Sequence, residues 1–148
     1  KSEYTPSVTA APSNPGLKAT WHEFKGNKCS EIEKAPINGT YPVEDVMIPK
    51  KVKGNIGLII KGYFNAPQDD IYTFALLSDD GSTLTIDSEQ IVDNDGPHGP
   101  KEIVGQKALA KGYHPMELRY FDQNGGQLKL KVTGSDGKEI PFTHLYAH

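Results

Sequence analysis

Five aspartates, Asp79, Asp80, Asp87, Asp93 and Asp95, fall within seventeen residues of one stretch, SDDGSTLTIDSEQIVDNDGPHG, residues 78–99. Adjacent carboxylates at a tight turn repel each other unless solvent, a base or a cation compensates. Calcium suits such a cluster, because it takes hard oxygen donors in a flexible loop. A competing reading needs no ion: Asp79 and Asp80 cap a tight turn by accepting backbone N–H groups. The run Asp93-Asn94-Asp95-Gly96 contains the D-x-D-G of a calcium loop. It lacks the later Glu and the flanking helices of an EF-hand, so it reads as a turn of Asx and Gly residues. His98 follows that turn and is a candidate to donate to a carboxylate of Asp79 or Asp80, or to contact a ligand together with Asp95. With no second His nearby in sequence to make a metal pair, a structural histidine is the favoured reading.

Other chemistry is not supported. Two carboxylates can hydrolyse a glycoside, but neighbours on one turn do not straddle a glycosidic bond. The sequence has no G-x-S-x-G, no H-E-x-x-H and no phosphate-binding glycine loop. Its five histidines are dispersed. Cys29 is the only cysteine, which excludes an internal disulfide, and without a His or Asn motif beside it reads as a structural thiol. Trp21 is the only tryptophan; its place in an alternating run assigns it to the core rather than to a sugar platform.

The elements that must position these residues are strands. Leu17, Ala19 and Trp21 alternate with polar residues, as do Ile56, Leu58 and Ile60, and later Leu128, Leu130 and Val132. Ile71–Leu77 is almost continuously apolar, as for a central strand. Ser78–Gly81 reads as the turn of a hairpin into a second strand through Leu84 and Ile86, followed by a turn at Ser88-Glu89. Lys101–Ala110 and Tyr113–Tyr120 are further strands, with Pro115 at the start of the latter. Phe121–Gly126 is a loop, and Ile140–Tyr146 is a closing strand. Pro36, Pro42 and Pro49 make residues 25–54 a long excursion with short strands, near Thr40–Ile48. The pattern is all-β, eight or nine strands without an amphipathic helix: an antiparallel β-sandwich or barrel.

The chain of 148 residues suits one domain, and its net charge of −3 comes with no basic stripe of the kind that binds nucleic acid. No apolar run is long enough to span a bilayer. Residues 1–16, rich in Ser, Thr, Pro and Ala, read as an interdomain linker, leaving 17–148 as the domain and implying another domain upstream.

The stretch quoted above, followed by ALAKGYHPMELRYFDQNGG, resembles the PA14 domain, a β-sandwich module of glycosidases, yeast adhesins and the anthrax toxin protective antigen. The resemblance runs roughly from Leu17 to Tyr146. In adhesin-type members an adjacent acid pair, often with a cis peptide between them, holds a calcium ion that binds sugar hydroxyls directly. Asp79 and Asp80 fall at the matching turn. Asp122 falls at the matching later loop, where those adhesins tend to have Asn. The resemblance implies that carbonyls of Asn124 and Gly126 complete the ligand set, with Gln123, His98 and Asp95 near the sugar. The loop here is short and glycine-rich, without the bulky residues that shape the adhesin pocket.

The lead-in PSNPGLKA looks most like the C-terminal PA14 modules of bacterial β-N-acetylhexosaminidases of the chitobiase type. This implies a non-catalytic carbohydrate-binding accessory module of a secreted glycoside hydrolase. It would be periplasmic, extracellular or at the cell surface, and its partners would be an N-acetylhexosamine-containing or other glycan and an upstream catalytic domain. The alternatives are a structural or protein-docking module without a glycan site, and a cell-surface glycan adhesin.

Overall fold

Alternation between core and solvent sets the strands, and non-local pairing decides which sheet each joins. The computed structural model describes residues 3–141 and 146–148. In chain order the elements are β1 (Leu17–Glu23), a 3-10 helix (Cys29–Lys34), β2 (Ile37–Val43), β3 (Asn55–Ala66), β4 (Asp70–Asp79) and β5 (Ser82–Ile86). They continue as β6 (Glu89–Asn94), β7 (Lys101–Leu109), β8 (Gly112–Gln123), β9 (Gln127–Thr133) and β10 (Tyr146–Ala147). One sheet runs β2-β1-β3-β8-β5-β6, with β10 also on β3; the other is β7-β4-β9, and every pairing of these strands is antiparallel.

The inward faces of the two sheets form one apolar cluster. Leu58, Ile60, Leu76, Leu84, Leu118 and Val132 are all fully buried within it. Phe64 lies at its centre, meeting Tyr72 and Phe74 edge to face at 5.4 and 5.3 Å, the geometry favoured by aromatic quadrupoles. Trp21 packs against this cluster, partly buried. The all-β antiparallel sandwich expected from alternation is the fold.

Several local expectations change. Ser78–Gly81 is not a hairpin turn. β4 pairs with β7 and β9, whereas β5 pairs with β6 and β8, so Asp79-Asp80-Gly81 is a corner that carries the chain between sheets. The true hairpin turn lies one residue earlier than expected, at Asp87-Ser88, both with positive φ (52° and 66°), as a tight turn between right-twisted strands requires. The strand expected near Thr40–Ile48 is β2, ending at Val43; it tolerates Pro42 because it is an edge strand.

Pro115 sits inside β8 opposite Tyr63 rather than at its start. The long excursion contains a six-residue 3-10 helix, with Cys29 and Ile32 buried. Ile32 joins Phe24, Ile59 and Phe121 in a small second core on the outer face of the large sheet. Of the expected closing strand, Ile140 donates to the Val132 carbonyl at 2.8 Å and β10 covers Tyr146–Ala147; residues 142–145 lie outside the described residues. Before β1 the chain is extended along the domain, with Thr5 bonded to Ala108 and Ala110, Val8 to Tyr113, and Asn14 to His148.

Candidate functional site

The corner between the sheets demands close backbone approach. A Cβ on Gly81 would lie 2.6 Å from the Phe121 ring and 2.7 Å from the backbone N and O of Gly96, so space dictates glycine there. The Asp79–Asp80 peptide bond is cis. The Asp80 N–H donates to the Phe121 carbonyl at 3.1 Å and the Phe121 N–H to the Gly81 carbonyl at 3.0 Å, which knits the corner to β8. The Asp80 carboxylate reaches in two directions. Its Oδ1 accepts from the His98 N–H at 3.0 Å, and its Oδ2 from the Gln123 N–H at 3.2 Å. A carboxylate has about four lone-pair sites, so both oxygens retain capacity.

Tyr120 and Asp122, two apart on β8, share one face of the strand. Asp122 is 2% exposed. The Tyr120 hydroxyl lies 2.7 Å from the Asp79 carbonyl oxygen and 2.6 Å from Asp122 Oδ2, while the Gly125 N–H donates to Asp122 Oδ1 at 2.9 Å. One hydroxyl proton faces two acceptors. Burial pushes the Asp122 carboxyl up from the usual carboxylate range; the Tyr120 and Gly125 hydrogen bonds oppose this, and the charges of Asp80 and Asp79 add to it. Burial and Asp122 likewise push the Tyr120 phenol up.

Burial first, and then the charges of Asp80 and Asp79, raise the Asp122 carboxyl, and the side-chain donors at the corner are oxygens, the type calcium prefers. Among the described residues, no group of three or more His, Cys, Asp or Glu is gathered as a metal centre. A cation at the corner would therefore take part of its shell from backbone carbonyls.

The expected residues separate into those the fold gathers and those it turns elsewhere. Asp79, Asp80 and Asp122 meet at the corner, and Gln123 joins through its backbone amide. Gly126 packs so closely there that a Cβ would run into the Asp79 carbonyl and the Tyr120 hydroxyl. Asn124 has positive φ (65°) and donates its N–H to the Gly54 carbonyl at 3.2 Å.

His98 sits as a structural histidine: its backbone amide, not its ring, meets Asp80, and the ring nitrogens lie 2.8 Å from the Asn94 carbonyl and 2.7 Å from that of Gly99. Asp95 turns toward the 3-10 helix, its Oδ1 accepting from the N–H groups of Cys29 and Gly96 at 3.0 and 2.8 Å. Tyr120 was missed by sequence reasoning, which took it as an apolar strand residue. The available signal was its polar tip, which needs a partner when buried, with Asp122 on the same strand face.

Two antiparallel sheets joined by an acidic corner define a β-sandwich module with a polar cluster at one end of the sandwich. The PA14 domain family model matches residues 13–142, and the chain belongs to that family. Among solved structures, the PA14 sugar-binding domain from an RTX adhesin superposes with a TM-score of 0.75 at 17% identity, covering 92% of this chain and all of that one. The PA14 domain of the MpAFP antifreeze protein gives 0.76 at 13% identity, covering 95% of each chain. The epithelial adhesin 6 A domain from Candida glabrata, solved in complex with Galb1-3GlcNAc, gives 0.67 at 13% identity, covering 95% of this chain and 89% of that one. At these identities the likeness establishes fold. No curated protein sequence matches the chain. No helix among the described residues is long and apolar enough to cross a membrane.

Proposed function

We propose that this chain is a carbohydrate-binding PA14 module that acts beside the catalytic domain of a secreted bacterial glycoside hydrolase of the β-N-acetylhexosaminidase type, with calcium at the Asp79–Asp80 corner. The observation that carries the reading is geometric: the Tyr120 hydroxyl ties the buried Asp122 carboxyl to the Asp79 carbonyl of the acidic corner, which gathers oxygen donors in one place. Asp79, Asp80 and Asp122 would hold the ion, with carbonyls of Asn124 and Gly126 available beside them. When bound, calcium would supply open coordination positions for vicinal sugar hydroxyls. The chain's own residues set the rest: Tyr120 fixes the Asp79 carbonyl, and the amides of His98 and Gln123 orient Asp80. The structures of glycan-binding relatives support the ligand class. Affinity at one such site would be weak, and the benefit would come from tethering a catalytic domain to its polymer.

A second reading has its own observation. Asp80 accepts two backbone N–H groups, from the loop at His98 and from Gln123 at the end of β8, which is what a purely structural clamp would do. Calorimetric titration of chelator-treated protein with calcium, then with N-acetylglucosamine, separates the two. Calcium heat that disappears in Asp80→Asn, with sugar heat only when calcium is present, is expected. Absence of calcium binding at millimolar concentrations would leave the clamp reading and remove the metal.

A further inference from the structure

The outer face of the large sheet carries a second polar arrangement. In register across β1, β3, β8, β5 and β6 stand Lys18, Lys61, Glu117, Thr85 and Gln90, one per strand. Their inward neighbours Ile60, Leu84, Ile86 and Leu118 are buried, so this row points to solvent. Four strand spacings of about 4.8 Å make the row about 19 Å long.

Two cavities lie along it. One, of about 500 Å³, is walled by Tyr63 and Ser88. The other, of about 320 Å³, lies under the 3-10 helix beside Ser30. They meet at Thr85, which lines both.

The lining says what fits. Three cationic side chains (Lys18, Lys61, Arg119) are balanced by three anionic ones (Glu33, Asp95, Glu117). Most of that charge is already paired: Lys61 with Glu117 at 3.7 Å, and Arg119 with both Glu117 and Glu33. A groove whose charges compensate each other is not complementary to nucleic acid or an acidic peptide. In contrast, the side chains of Ser30, Thr85, Ser88 and Gln90 make no hydrogen bond among the described residues. They are neutral donors and acceptors, spread along a narrow path, with the Tyr63 ring at one wall. Neutral hydroxyls along a chain of pyranose rings, whose faces suit an aromatic wall, match that pattern.

We propose that this groove binds a neutral oligosaccharide of several sugars, lying across the strands from the Tyr63 wall to the 3-10 helix. It takes only its ligand class from the glycan-binding reading; it needs neither calcium nor the Asp79–Asp80 corner.

The test is an array of neutral oligosaccharides two to six sugars long, probed with the full chain in EDTA. Binding should strengthen with length. Thr85→Trp, which fills the waist of the groove, should weaken it about tenfold or more; Gln90→Ala should weaken it less, and Asp80→Asn should leave it unchanged. Gln90 is exposed, so Gln90→Ala carries the test if Thr85→Trp melts early. No binding in EDTA, or binding that both groove variants leave intact, overturns the proposal. Binding that needs calcium and is lost in Asp80→Asn overturns the groove while supporting the corner. Binding that persists in EDTA and is lost only in the groove variants supports the groove and leaves the corner to its own calcium titration.

Discussion

At Gly126 the absence of a side chain is a packing requirement, because the Asp79 carbonyl and the Tyr120 hydroxyl occupy the place where a Cβ would begin. Neither neighbour is the loose end of a flexible side chain: one is backbone, the other a phenol held by Asp122. Gly126→Ala must therefore push the β8–β9 turn away from the corner. We expect a loss of about 1–3 kcal/mol in urea unfolding, the usual cost of forcing atoms into filled space. Gly125, where a Cβ would meet nothing within 4 Å, does not share this constraint; its positive φ of 107° is what favours glycine there. Two adjacent glycines thus serve different ends.

At the scale of elements, β8 and the 3-10 helix organise the outer parts of the domain. β8 carries Arg119 outward and Tyr120 and Asp122 to the corner. The helix closes over the sheet at Gly57, where a Cβ would lie 2.8 Å from Ile32. Phe24 and Phe121 meet edge to face beside it, 5.9 Å apart. Ile32→Ala should cost about 2–4 kcal/mol, as for other buried large-to-small changes. Because this small core is separate from the one between the sheets, the loss should appear as lower Tm with unchanged far-ultraviolet circular dichroism.

Strands such as Leu128–Val132 were legible in the sequence because period-2 alternation records burial directly. Sheet membership was not legible at Ser78–Gly81. Tight-turn residues look alike whether the next strand pairs with the last or leaves for another sheet, and here distant partners, Ile103 and Leu130 beside Leu76, decide it. The helix was hidden because six residues are too few to show a helical stripe. The acidic residues of the corner stood out by type, whereas Tyr120 did not, since an aromatic in a strand looks like core until its hydroxyl is followed to its partners.

At the scale of the whole molecule, acidity acts through half-buried carboxylates. Burial lifts the Asp45 carboxyl to about 6, against the Val46 N–H and the charge of Lys129. The folded state therefore holds that proton more tightly than the unfolded chain, whose Asp titrates near 3.9. Its contribution favours folding most at low pH and is lost as pH rises through about 6. Asp45→Asn removes this dependence, so the variant should be more stable than wild type at pH 7 and lose that advantage near about pH 4. Solvent screening at a half-buried side chain limits the difference to about 1 kcal/mol. Thermal unfolding at both pH values measures it.

Asn14 and His148 exchange backbone hydrogen bonds at 2.9 and 2.8 Å, and Pro15 bridges Ala147. β10 lies beside Tyr63, which faces Pro115 on β8, while the corner is bonded to β8 at Phe121 and Gln123. That is about 20 Å further along the strand. Asn14 and His148 thus sit side by side, and the acidic corner looks out from the far end of the strands. A bulky label attached at either Asn14 or His148 would therefore crowd the same end of the molecule and leave the corner's approach open.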